Sequence, residues 1–80
     1  MEIRYTETAL ADLERLPTRA AGQIMRKIDR LRLGLHGDIK QLTQYDFAYR
    51  LRSGNYRILF DLDNRIVIIQ RILHRKEAYD

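Results

Sequence analysis

Arg50, Arg52, Arg57 and Arg75, together with His74 and Tyr79, are the side chains of this 80-residue chain best suited to chemistry on an anion. Arg50 and Arg52 stand two apart in one alternating segment. Arg57 follows a Ser53-Gly54-Asn55 turn in the next, and His74-Arg75-Lys76-Glu77-Ala78-Tyr79 ends a third. Residues two apart on a strand share a face, so three neighbouring strands are expected to gather Arg50, Arg52, Arg57, His74 and Arg75 on one concave surface. Cations gathered in this way repel one another unless an anion lies among them. A phosphate backbone is the natural anion, because guanidinium groups make bidentate contacts to phosphate. Imidazole can exchange a proton near neutral pH, which makes His74 the candidate proton carrier. Arginines on a small sheet also fit a solvated face whose stems cover apolar surface; a His and a Tyr at a strand end add acid–base capacity that such a face does not need.

Other chemistries find little support. There is no cysteine, no HxxxH spacing and no carboxylate cluster beside His74, so no metal and no cofactor is expected. Phosphate-loop, nucleophile-elbow and dinucleotide fingerprints are absent. His36 sits in a Gly34-Leu35-His36-Gly37 turn, and Asp61 and Asp63 flank another, so all three read as turn residues. Metal-free chemistry on a phosphodiester, or binding alone, is what remains.

The elements that must position these residues follow from periodicity. Ile3 to Tyr5 reads as a short strand, after which Thr6 or Thr8 can cap a helix carrying Leu10, Leu13 and Leu16 and stopped by Pro17. Thr18 offers a second N-cap to an amphipathic helix with Ala21, Ile24, Ile28, Leu31 and Leu35 on its apolar face. The opposite face carries Arg19, Gln23, Arg26, Lys27, Arg30 and Arg32, with Asp29 as its only acid, and Gly34 and Gly37 end the helix. From Phe47 the period becomes two. Phe47, Tyr49 and Leu51 alternate with Ala48, Arg50 and Arg52, and Tyr56, Ile58 and Phe60 alternate with Arg57, Leu59 and Asp61. An Asp63-Asn64 turn leads to Ile66–Leu73, apolar on both faces as suits an interior strand. The expected fold is α+β, ordered β-α-α-β-β-β: a mostly antiparallel four-stranded sheet with a helical hairpin packed on one face.

Eighty residues make one domain, residues 1–80, whose small core leaves a thin margin of stability that partner binding would raise. The net charge of +4 and pI of about 9.8 suit a nucleic-acid or acidic-protein partner. No stretch reaches the ~18 apolar residues that cross a membrane, and the start Met1-Glu2-Ile3-Arg4 lacks an apolar signal region. A soluble cytoplasmic protein is expected.

Tyr49-Arg-Leu-Arg-Ser-Gly-Asn-Tyr-Arg57, the following Ile-Leu-Phe, and Ile66 through Tyr79 with its His-Arg-Lys-Glu-Ala-Tyr ending resemble the RelE toxins of bacterial toxin–antitoxin pairs. The resemblance covers nearly the whole chain; the basic strands carry it, whereas the helical half is generic. It implies a ribosome-dependent messenger-RNA endonuclease that positions the substrate's own 2′-hydroxyl for attack on the adjacent phosphorus, without a metal. It also implies an antitoxin partner, with the toxin–antitoxin complex assembling further on DNA through the antitoxin. By position, Arg57 matches the family's phosphate-stabilising arginine and Tyr79 its C-terminal base-stacking tyrosine. His74 and Arg75 match a His-Arg pair present in many members, as proton carrier and phosphate contact. Arg50 takes the place of a basic strand residue, with Arg52, Lys40 and Lys76 as further RNA contacts. The chain departs from the pattern at Ala48, where some members place a second basic residue, and His74 would then take over proton transfer. A ParE-like toxin of the same fold, which inhibits DNA gyrase and cleaves nothing, is the alternative.

Overall fold

The long strand near the C-terminus pairs with both the first strand and the one before it, joining the two ends of the chain in one sheet. The computed structural model describes residues 1–78, which form β1 (Glu2–Tyr5), α1 (Glu7–Glu14), α2 (Thr18–Asp29), β2 (Ile39–Gln41), β3 (Tyr49–Ser53), β4 (Tyr56–Asp63) and β5 (Ile66–His74). The five strands make one sheet in the order β1-β5-β4-β3-β2. Only β1 and β5 run parallel; the other pairs are antiparallel. The α+β class and the helical hairpin are as expected, and β5 is an interior strand.

The strand count is corrected from four to five. Ile39-Lys40-Gln41 contains a single apolar residue and is too short to show a period, yet it pairs with β3 along the sheet edge. A bulge adds a second correction. Leu59 pairs with Arg71 but Phe60 pairs with Ile69, so Gln70 is an extra residue in β5. Ile69 and Ile72, three apart, therefore both reach the helix-side core.

That core joins Ala9 of α1 and Ile24, Ile28 and Leu31 of the α2 segment to Leu51, Ile58, Phe60, Val67, Ile69 and Ile72 of the sheet. Of the row expected for α1, Leu13 and Leu16 pack against this core, but Ala9, fully buried, takes the place of Leu10, which is 45% exposed. Thr6 caps α1, its Oγ1 accepting from Ala9 N at 3.0 Å. At α2 the expected Thr18 cap is replaced by Pro17, which has an extended backbone and makes no side-chain cap. The helix tightens into a 3-10 turn at Arg30–Leu33 and stops at Gly34, whose φ of 143° few side chains tolerate. Leu35 lies beyond it and is exposed. The last hairpin turns at Asn64-Arg65, one residue later than expected, with φ of 49° and 69°.

α1 also closes an open edge. β1 ends at Tyr5, opposite Ile69, but β5 continues to His74. Thr6 Oγ1 donates to the Gln70 carbonyl at 3.2 Å, and Asp12 Oδ2 accepts from Ile72 N at 2.9 Å. The Asp12 carboxylate is 5% exposed and takes two further hydrogen bonds, from Arg71 Nε at 2.8 Å and Nη2 at 3.2 Å. Burial alone would raise its pKa. The Arg71 and Ile72 hydrogen bonds, with the charges of Arg71 and Arg15, outweigh burial and hold it below the ordinary 3.8.

Candidate functional site

The β3–β4 turn and the end of β5 form one structural unit. Gly54 has a φ of 57°, which lets β3 reverse directly into β4. Arg57 braces the turn from within: its Nη1 donates to the carbonyls of Gly54 at 2.9 Å and Tyr56 at 3.0 Å. The turn is then tied to the residue after β5, because Arg75 N donates to the Asn55 carbonyl at 2.7 Å.

His74 is held at this junction. It pairs with Tyr56 across β4–β5, and the two rings meet edge to face at 5.6 Å and 78°. Its Nδ1 accepts from Lys76 N at 3.2 Å, and its carbonyl accepts from Glu77 N at 2.8 Å. An Nδ1 that accepts a main-chain N–H leaves Nε2 to carry the proton of the neutral ring. The arrangement therefore presents His74 as a hydrogen-bond donor at Nε2, and Nδ1 must be released from Lys76 before the ring can carry two protons. Arg75, Lys76 and Glu77 are exposed on the short tail that follows.

The single concave basic surface expected from the sequence is divided in two. Cross-strand partners project to the same side of an antiparallel sheet, so the pairs Lys40–Arg50 and Arg52–Arg57 place these four residues on the face away from the helices. His74 and Tyr56 lie on the other side, where Tyr56 packs against the helix-side core. Alternation puts Arg57 and Leu59 on one side of β4, but a β5 that is apolar on both faces gives no parity for His74. Arg57 is also 3% exposed, with its Nη1 turned toward the Gly54 and Tyr56 carbonyls. The Arg50 side chain is 11% exposed and lies 3.8 Å from Asp38, whereas Arg52 and Lys40 are exposed. β2, absent from the sequence reading, is what brings the outlying Lys40 beside Arg50. Tyr79 lies outside the described residues.

Three further residues escape the sequence pattern. Asp12 sits at helical spacing among Ala9, Leu13 and Leu16, and an acid in an apolar row needs a buried partner. Arg71 is the matching anomaly, the one cationic Arg or Lys in the mainly apolar β5. Tyr56, the neighbour of the His74 ring, could be assigned only once the register was known. Among the described residues no group of three or more His, Cys, Asp or Glu side chains gathers that could hold a metal ion. No helix among them is long and apolar enough to cross a membrane.

Comparison with known proteins places this geometry in context. Residues 3–79 match the family described as the ParE toxin of type II toxin–antitoxin systems, parDE. Toxin RelE3 of Methanocaldococcus jannaschii is 33% identical over 85 aligned positions, covering 100% of this chain and 97% of the relative. The crystal structure of a RelB–RelE antitoxin–toxin complex from Methanococcus jannaschii superposes with a TM-score of 0.79 at 33% identity, over 96% of this chain and 95% of that one. The RelBE2 toxin–antitoxin complex from Mycobacterium tuberculosis gives a TM-score of 0.77 at 32% identity, over 92% and 96% of the two chains. Sequence and fold thus agree along the full length, and the chain belongs to the RelE/ParE superfamily of toxins of type II toxin–antitoxin systems.

Proposed function

We propose that this protein is the toxin of a toxin–antitoxin pair and acts in the cytoplasm as a ribosome-dependent, metal-independent messenger-RNA endonuclease. The observation that carries this reading is the junction of Tyr56, His74 and Arg75 on the braced β3–β4 turn. It sets a proton-exchanging ring next to an exposed cation. Attack of a substrate 2′-oxygen on the adjacent phosphorus forms one P–O bond as the bond to the 5′-oxygen breaks. The 2′-hydroxyl loses its proton, the leaving 5′-oxygen gains one, and the products are a 2′,3′-cyclic phosphate and a 5′-hydroxyl.

In this reaction His74 first donates a hydrogen bond from Nε2 to a phosphate oxygen. When the RNA displaces the exposed Lys76 main chain, the freed Nδ1 accepts the 2′-hydroxyl proton while Nε2 passes its own to the leaving 5′-oxygen, which returns the ring to its neutral form. Arg75 offsets the charge that grows on phosphorus-bound oxygen, Tyr79 stacks on a base, and Arg57 acts as a positioning residue through the turn. Arg52, Lys40, Arg50 and Lys76 contribute charge along the RNA. An antitoxin would silence the toxin by covering this basic surface with acidic residues, and the pair would bind DNA through the antitoxin.

Incubation of the protein with ribosomes and a defined message tests this reading. Cuts within codons that leave cyclic or 3′-phosphate ends are the expected result, and an intact message under all conditions would overturn it. The ParE description of the matching family favours a second reading, inhibition of DNA gyrase. Loss of supercoiling activity with no RNA cleavage would establish that one instead.

A further inference from the structure

The basic face of α2 meets the β3–β4 turn in a cleft of about 370 Å³ lined by Gln23, Arg26, Lys27, Arg30, Ser53 and Gly54. Four of these come from one side of the α2 segment: Gln23 and Lys27, and Arg26 and Arg30, are each four apart. No carboxylate among the described residues pairs with Arg26, Lys27 or Arg30. The one acid of the helix, Asp29, is engaged by Arg32 at 2.6 Å. Like charges at this spacing repel, so the helix retains a row of cations that its own fold does not neutralise. A second cleft shares Lys27 and Arg30 and reaches the exposed Arg52, with His36, Leu51 and Asp38, the partner of Arg50, also in its lining.

We propose that this cleft binds the phosphodiester backbone of the RNA substrate strand, on the side of the turn away from Arg75. The inference rests on the nuclease reading for the strand's identity. Two features select RNA over a protein segment. No aromatic or aliphatic side chain lines the cleft, whose apolar surface comes from the stems of Gln23, Arg26, Lys27 and Arg30; a protein partner is held chiefly by buried aromatic and aliphatic anchors, whereas a phosphate backbone needs cations and main-chain or hydroxyl donors. The cleft is also continuous with the candidate site. Gly54 lines it, and the carbonyl of the next residue, Asn55, accepts from Arg75 N. A strand crossing that turn passes directly from Lys27 and Arg30 to Arg75 and His74.

The test is binding of a short single-stranded RNA carrying 2′-O-methyl groups, which cannot be cut, followed by fluorescence anisotropy over a range of salt. The Lys27→Ala/Arg30→Ala variant should bind about ten-fold more weakly at low salt, and its salt slope should fall by roughly 1.4, about 0.7 for each lost phosphate contact on a single strand. Gln23→Glu, a single exposed change that puts an acid in the cleft, should weaken binding in the same direction. Arg19→Ala, outside the cleft, should not. Unchanged affinity and slope in the cleft variants, or equal loss in Arg19→Ala, would overturn the proposal. So would a variant that loses an acidic peptide while keeping RNA. Because the readout is binding, failure of the nuclease reading is separate: cleft-dependent binding without any cleavage removes the reaction, and cleavage with cleft-independent binding removes only the cleft.

Discussion

Asp12 of α1 and Arg71 of β5, 59 positions apart in sequence, are joined by two hydrogen bonds of 2.8 and 3.2 Å. The same carboxylate accepts from Ile72 N, so one side chain both neutralises a cation and completes the sheet edge. Asp12→Asn keeps the shape but loses the charge and turns an amide toward the guanidinium. Hydrogen bonds to a charged group are worth about 1.5–3 kcal/mol, so the variant should lose roughly 2–3 kcal/mol in urea unfolding. For a chain of this size that is a fall in Tm of some ~10–20 °C. An unchanged urea midpoint would show that solvent replaces the pair without cost.

The same residue gives a pH dependence. The Asp12 pKa is lowered in the folded state, so its contribution to stability is complete above the unfolded value near 3.8 and is lost as pH falls through the folded value. Unfolding curves measured from neutral to acid pH should show the wild type losing stability faster than Asp12→Asn below about pH 4. The two curves should converge at the acid end. Parallel curves would mean that Asp12 is not the group being titrated.

The hairpin turn after β4 carries a different cost. Arg65 has a φ of 69°, a region that charges a side chain about 1–2 kcal/mol. Glycine adopts it freely but loses about 0.4–1 kcal/mol through a more flexible unfolded chain. Arg65→Gly should therefore stabilise the protein by roughly 0.5 kcal/mol, read as a small rise in the urea midpoint at constant slope. A clear fall would show that the arginine side chain makes a compensating contact.

How far the sequence discloses the fold depends on which residues carry the pattern. The alternation through Tyr49–Arg52 and Tyr56–Phe60 marks two strands because Tyr49, Leu51, Tyr56, Ile58 and Phe60 all face one core. Lys40 gives no such signal: its strand lies at an edge and borrows order from β3. His74 gives no signal of its face either, because the strand before it, Ile66–Leu73, is apolar on both sides and shows no parity. The register of that strand comes from pairing with β1 and β4 and from the extra Gln70, none of which is written in local sequence. Arg57 likewise looks like any solvated cation until Gly54 and Tyr56 offer it their carbonyls.

Arg57 should accordingly matter first for structure. Arg57→Ala removes two charge-assisted hydrogen bonds from a buried site and should cost about 2–3 kcal/mol. It should also speed amide exchange at Arg75, whose N–H is bonded to Asn55 in the same turn. Arg57→Lys, which retains the charge but not the fork, should fall between. Normal exchange at Arg75 in the alanine variant would show that the turn holds without its brace.

His74 should show the reverse pattern, a large effect on reaction and a small one on folding. Its ring is half-buried and its main contacts are the Tyr56 edge and the Lys76 N–H. His74→Gln should lower ribosome-dependent cleavage by about 10²–10⁴-fold, the usual worth of positioned proton transfer. It should lose no more than ~1 kcal/mol of stability, the worth of one aromatic pair. Tyr56→Phe, which keeps the edge contact, should leave cleavage intact. Imidazole nitrogen NMR of the wild type should find the neutral ring protonated at Nε2, as acceptance from Lys76 N requires. A proton on Nδ1 instead would show that the tail does not hold the ring in solution. Full activity in His74→Gln would move proton transfer to another group.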